Sequence, residues 1–303
     1  VTVENHPIVQ KDVSMVTSVT DGCKIERLEG RINGAFVSLS DAAEIGVVVL
    51  GGSSGRVDID RAKLFAETGA KALALQWFGA AGQSPGICEI PLETFFDATD
   101  YLISRGCRRI VFVGTSKGAE AALLVATLDR RVNAVIAISP SSVVWGNIGP
   151  GKDGREWPER SSWTWKGEPL EFVRAESTWE RDYRDGLVSY RSFFEQCLDT
   201  DEQTLWRARI PVERATADLV LVAGGDDALW PSERFARELA SLREKSGRQV
   251  SLVVDSEAGH RVLLPGETTP RSSLHAHGGN DAADVRLGLM AWAAIEAALS
   301  PKD

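Results

Sequence analysis

The sequence predicts an α/β domain, with a mostly parallel central sheet, helices on both faces and a Trp-rich lid insertion. Three observations carry this. Short apolar runs at Val47–Leu50, Ile110–Val113, Ala134–Ile138 and Leu219–Ala223 alternate with stretches of helical length, as strands covered on both faces require. Glycine-rich turns, such as Gly51-Gly-Ser-Ser-Gly55 and Gly224-Gly-Asp-Asp227, follow several of these runs directly. Between residues 141 and 209 the alternation stops, and six of the nine tryptophans fall there.

Composition sets limits on function. With 303 residues, 43% of them hydrophobic and 25% charged, the chain can bury a large core. The formal charge, 34 minus 43 or −9, and the lack of a long basic run argue against nucleic acid as a partner. No stretch reaches the roughly 18 apolar residues of a membrane helix, so no membrane association is expected. The segment Val1–His6 has no basic-then-apolar signal pattern. Cys23, Cys88, Cys107 and Cys197 form no C-x-x-C pair, which favours reduced thiols in a cytoplasmic protein and leaves two disulfides as the alternative. No zinc-ligand spacing occurs, and neither metal nor cofactor is expected.

Taken in order, residues 1–45 read as short alternating strands of the same domain (Ser14–Thr20, Cys23–Gly30, Ile32–Leu39), suited to an antiparallel sheet edge. His6 carries no chemistry. Residues 46–140 and 210–303 form the core, and 141–209 the lid. A strand at 46–50 leads through the glycine-rich loop to a helix capped by Asp58 or Asp60 and ending near Glu67. That loop lacks the glycine spacing of a dinucleotide site and the lysine of a phosphate loop. A strand at 70–79 precedes a helix with Pro91 in its first turn and Gly106 just past its end. Within the lid, Trp179, Tyr183, Leu187, Tyr190 and Phe194 share a rough helical phase over Glu171–Gln196, which suggests a helix. The core resumes with a strand at 218–223, a helix at 232–245, a strand at 250–255 and an Ala-rich helix at 281–299.

The most informative stretch is Arg109–Ala126. Its apolar strand runs through Gly114-Thr-Ser116-Lys-Gly118 into a small-residue helix, a match to the G-x-S-x-G elbow. Glycines two residues either side of the serine are needed because a Cβ there would strike the neighbouring strand or helix. Ser116 is thereby the candidate nucleophile. The N–H of Lys117 and one from Gly52, Ser53 or Ser54 are the candidate oxyanion-hole donors, although Gly51-Gly52 also fits a plain tight turn.

A serine hydroxyl becomes a useful nucleophile only when a base near neutral pKa takes its proton, and a carboxylate must fix that base's tautomer. His260, in the loop after the last strand, is the base placed correctly by order, while His275 and His277 lie in a later polar loop. For the acid, Asp226 is preferred to Asp227 because the residue nearer the strand end should point inward. Ser, then acid, then His is the chain order of α/β hydrolases.

Several segments together resemble the C-terminal catalytic domain of the acyl-CoA thioesterase and bile-acid-CoA:amino-acid N-acyltransferase family, a dienelactone-hydrolase-like branch of the α/β hydrolases. They are Val48-Val-Leu-Gly-Gly-Ser-Ser-Gly, Ile90-Pro-Leu-Glu-Thr-Phe, Gly114-Thr-Ser-Lys-Gly-Ala-Glu, Ile210-Pro-Val-Glu-Arg-Ala, Gly224-Gly-Asp-Asp-Ala-Leu-Trp-Pro-Ser and Gly259-His260. The resemblance spans residues 45–300 and implies an α/β-hydrolase fold with a Ser116, Asp226, His260 triad acting on an acyl thioester. Two departures bear on it. Only about 45 residues stand where animal members carry a β-sandwich domain, and the elbow residue is serine where the transferases have cysteine.

The expected function is therefore a serine hydrolase cleaving a small-molecule acyl thioester or ester, the acyl group being carried on coenzyme A or an acyl carrier protein. An acyltransferase, an ester, lactone or amide hydrolase, or a cyclase using the same triad is the alternative, and a silent ligand-binding relative of the fold is a third. Arg56, Trp145 and Trp230 are the substrate-binding candidates, with Arg56, Lys117, Arg261 and Arg271 as possible phosphate contacts of the carrier.

Overall fold

The computed structural model describes residues 16–20, 22–175 and 178–300. Its first half contains β1 (Val16–Thr20), β2 (Cys23–Leu28), β3 (Asn33–Ser38), β4 (Ile45–Leu50), α1 (Ile59–Glu67), β5 (Lys71–Gln76), β6 (Ile90–Pro91), α2 (Glu93–Ser104), β7 (Arg109–Thr115), α3 (Lys117–Leu128) and β8 (Val132–Ile138). Then come β9 (Trp163–Trp165), β10 (Glu168–Pro169), β11 (Asp182–Arg184), β12 (Leu187–Ser189), α4 (Arg191–Cys197) and α5 (Glu202–Ala208). The chain closes with β13 (Asp218–Gly224), α6 (Ser232–Lys245), β14 (Ser251–Asp255) and α7 (Asp281–Leu299). Ser14, Met15 and His6 lie outside the described residues.

Nine strands form one sheet in the order β1-β2-β3-β5-β4-β7-β8-β13-β14. The pairs from β5 to β14 are parallel, and β1, β2 and β3 add an antiparallel edge. Strand periodicity explains why the central runs are apolar throughout. Val48, Leu50 and Phe112 face α2, α3 and α6 on one side, whereas Val47, Val49, Val111 and Val113 face α1 and α7 on the other. Each fully buried Val, Leu or Phe contributes about 1.5–3 kcal/mol by leaving water. This is the α/β-hydrolase fold.

Local signals set the helix ends. Of the two capping candidates for α1 it is Asp58 that accepts the N–H of Arg61, at 3.3 Å. Helix α3 has ten buried residues among its twelve, so its Ala-rich sequence reflects packing on all sides.

The parallel register brings the strand ends into line. Leu50 pairs with Gly114, Thr115 with Ile138, Ile138 with Val222, and Gly224 with Asp255. The loops that leave these ends carry Gly52, Ser116, Ser139, Asp226, Asp227 and His260.

Between residues 171 and 196 the chain departs from the expected helix. In place of a helix over 171–196 there is a β11–β12 hairpin followed by the short α4. The turn residues Asp185 and Gly186 both have positive φ, +52° and +78°, and an Asp-Gly pair in that conformation matches the twist of a two-residue hairpin. The apparent helical phase came from aromatics that pack on several partners: Trp179 stacks on Tyr190, and Phe194 meets Trp145 and Trp230. Val144 and Trp163 of the insertion join the main core, while Trp157 and Trp206 are exposed. Among the described residues no helix is long and apolar enough to cross a membrane.

Candidate active site

Ser116 sits between β7 and α3 with φ +56°, ψ −120°, a conformation that non-glycine residues rarely adopt. The flanking glycines are required by contact. A Cβ on Gly114 would lie 2.2 Å from Gly118 O, and one on Gly118 would lie 2.5 Å from Gly51 O and 2.6 Å from Leu50 O. The Ser116 side chain projects at the start of α3, and its N–H donates to Ile138 O at 2.9 Å. Gly52 lies against it, since a Cβ there would be 3.3 Å from Ser116 Cβ. Ser53 and Ser54, the other loop candidates, are exposed. Ser116 itself is only 6% exposed, and its Oγ has no hydrogen-bond partner among the described residues.

His260 is 4% exposed, and its Nδ1 lies 2.8 Å from Asp227 Oδ2. This corrects the expected acid, Asp226. The turn after β13 rolls the chain so that the second aspartate points inward: Asp227 is almost wholly buried, and its Oδ1 accepts the N–H groups of Leu229 and Trp230 at 2.8 and 3.2 Å. Asp226 points instead towards the β11–β12 hairpin. Arg184 donates to both of its oxygens at 2.7 and 2.5 Å, and Gly279 N–H donates to Oδ2 at 2.9 Å. The Arg184 guanidinium is the main cause that holds the Asp226 carboxyl below its usual range.

The loop carrying His260 is tied on both sides. Gly259 N–H donates to Asp284 Oδ1 at 2.9 Å, and Arg261 and Arg271 donate to Asp284 Oδ2. Burial raises the Asp284 carboxyl despite these donors. After His260, Arg61 donates to Val262 O, to both oxygens of Glu267 and to Thr115 Oγ1, next to Ser116. The His277 ring packs edge-on to His260 at 5.4 Å, and its carbonyl accepts the His260 N–H at 2.7 Å. Burial, with the nearby His260 as a second cause, pushes the His277 imidazole down to about 4.

The binding candidates fare differently. Trp230 is buried, packs edge-on to His260 at 5.9 Å and donates from Nε1 to Ser139 O, so it walls the His260 ring. Trp145 is also buried, within a cluster with Phe194 and Phe235, and donates to Ser141 Oγ. Arg56 is half-exposed and paired with Asp58. The Lys117 ammonium does not face a ligand: it is buried against Glu120 Oε2 at 2.6 Å and over the Trp163 ring, and burial lowers its pKa. Arg261 and Arg271 are committed to Asp281 and Asp284. A long side chain in a site loop is no guide to its direction once a buried carboxylate is within reach.

Sequence reasoning missed Ser139, Asp284, Arg61 and Glu120. No motif marks Ser139, Asp284 or Arg61, because each makes its contacts with segments distant in the chain; Glu120 lies within the elbow segment, but its contacts with Trp145 and Trp163 have no local sign.

A model described as "BAAT / Acyl-CoA thioester hydrolase C terminal" matches residues 90–293. Among curated proteins, human acyl-coenzyme A thioesterase 1 is 27% identical over 252 residues, covering 82% of this chain and 56% of its own length. Human mitochondrial acyl-coenzyme A thioesterase 2 is 27% identical over 252 residues, covering 82% and 49%. The chain thus spans about half the length of the curated relatives it matches. A protein from Klebsiella pneumoniae subsp. pneumoniae MGH 78578 assigned as a dienelactone hydrolase shares the fold, with TM-score 0.52 and 12% identity over 96% of this chain and 99% of its own.

Proposed function

The chain belongs to the BAAT / acyl-CoA thioester hydrolase C-terminal family, and from that premise we propose that it cleaves an acyl-CoA through an acyl-Ser116 intermediate. The observation that carries the reading is the buried Asp227–His260 pair, tied through the Ser139 hydroxyl to the strand end that also holds the N–H of the strained Ser116.

In this reading Ser116 Oγ attacks the thioester carbonyl while His260 Nε2 takes its proton. Asp227 holds the proton on Nδ1 and stabilises the imidazolium that results. The N–H of Lys117 and one from the Gly52–Ser54 loop receive the oxyanion, aided by the N-terminal dipole of α3. Collapse breaks the C–S bond, and the thiolate leaves with the proton from His260. Water, deprotonated by His260, then attacks the ester carbonyl and frees Ser116 with the acid. Water is the favoured acceptor because a serine ester is a less activated donor to amines than a thioester. The hydroxyl–imidazole bond forms as substrate enters, since such bonds commonly tighten only in the complex.

The test is intact-mass analysis after mixing with a panel of acyl-CoAs, carrier-protein thioesters and simple esters. An adduct of acyl mass on the wild type, absent from Ser116→Ala, is expected. Undiminished turnover by Ser116→Ala would refute the assignment, and product analysis with added amines separates hydrolysis from transfer.

A further inference from the structure

Ser139 follows the end of β8, is wholly buried and has φ +47°. Every polar atom it has is engaged. Its N–H donates to Val222 O at 2.7 Å, its hydroxyl donates to His260 O at 2.9 Å, and its carbonyl accepts Trp230 Nε1–H at 3.2 Å. The residue before it, Ile138, accepts the N–H of Ser116. Adjacent residues at one strand end therefore hold the nucleophile's amide and the base's carbonyl, while the second also holds the indole packed on the base.

The backbone at this point is strained for a serine, and glycine would adopt it freely. What glycine lacks is the hydroxyl that reaches His260. We infer that Ser139 is a positioning residue: it sets His260 against Ser116, and its strain is the cost of a bond useful to the reaction rather than to the fold. The inference rests on Ser116 and His260 being nucleophile and base. The geometry that brings a base to its nucleophile has to hold within a fraction of an ångström, so small displacements are expensive in rate.

The experiment separates stability from chemistry. Ser139→Gly and Ser139→Ala are compared with the wild type by thermal unfolding, by the rate of labelling with a fluorophosphonate probe and by steady-state hydrolysis of a p-nitrophenyl ester. For Ser139→Gly the expected result is an unfolding midpoint at or above the wild type, with labelling and kcat lowered about tenfold. KM should stay within about twofold, since substrate contacts are untouched. Ser139→Ala keeps the strain and deletes only the hydroxyl, so the same kinetic loss is expected if the glycine variant fails to fold. Wild-type kcat in the variants, or a loss of rate that simply follows a loss of stability, would overturn the inference. Ser116→Ala is the separate control: labelling of that variant at the wild-type rate would sink the nucleophile assignment itself, whatever Ser139 does.

Discussion

Asp227 presents Oδ2 to His260 Nδ1 at 2.8 Å while its Oδ1 is held by the N–H groups of Leu229 and Trp230. The carboxylate therefore has one orientation, and that orientation dictates the effect of an amide. In Asp227→Asn the carbonyl oxygen must face the two N–H donors, which turns the NH₂ towards His260. The imidazole then has to accept at Nδ1 and carry its proton on Nε2, where it cannot receive one from Ser116. A fall in kcat of roughly 10⁴-fold is expected, by the same tautomer argument that applies to other triads. Asp226→Asn should leave kcat close to wild type, and parallel steady-state assays of the two variants decide between the aspartates.

The elbow tolerates no side chain at Gly118. An added methyl would meet the backbone oxygens of Gly51 and Leu50 at 2.5 and 2.6 Å, and neither strand nor loop can move without disturbing the sheet. Gly118→Ala is expected to lose about 3 kcal/mol or more of stability. It should also lose reaction with a fluorophosphonate, measured alongside chemical denaturation.

Glu120 accepts Lys117 Nζ on one oxygen, and Trp163 Nε1–H and Trp145 N–H on the other. Removing its charge strands an ammonium in the core. Glu120→Gln should destabilise the protein by about 3–5 kcal/mol, and the double variant Lys117→Met, Glu120→Gln should recover much of that loss. Urea unfolding of the three proteins measures it. A smaller loss in the double variant than in Glu120→Gln is the diagnostic result.

His277 gives stability a dependence on pH. Its imidazole is held down to about 4 in the folded protein against an ordinary 6.5. Between those values the unfolded chain binds a proton that the folded chain refuses, so stability falls as the pH is lowered from 6.5 towards 4. Above 6.5 the group has no effect. His277→Gln should flatten this part of the profile, read as the difference in unfolding midpoint between variant and wild type across the window.

How much of this could be read from the sequence follows from where the signals lie. The β7–α3 elbow and the α6 and α7 boundaries were legible because period, glycine spacing and capping are local properties. The choice of Ser116 and His260 followed from their place after apolar runs. The aspartate that meets His260 lies one residue beyond the expected one: Asp227 turns inward to the imidazole, while Asp226 is taken up by Arg184, 42 residues away, a contact with no local mark. The hairpin was missed although Asp185-Gly186 announces it, since the surrounding aromatics imitate a helical phase. Ser139 has no local mark at all, because a positive φ on a serine is imposed by its three distant partners.

Arg184 reaches from the insertion to Asp226, and Asp226 is joined by a single peptide bond to the residue that faces the imidazole. The β11–β12 hairpin is thus leashed to the turn that carries Asp227. A displacement of the hairpin would either break the guanidinium clasp or pull the Asp226–Asp227 turn along with it.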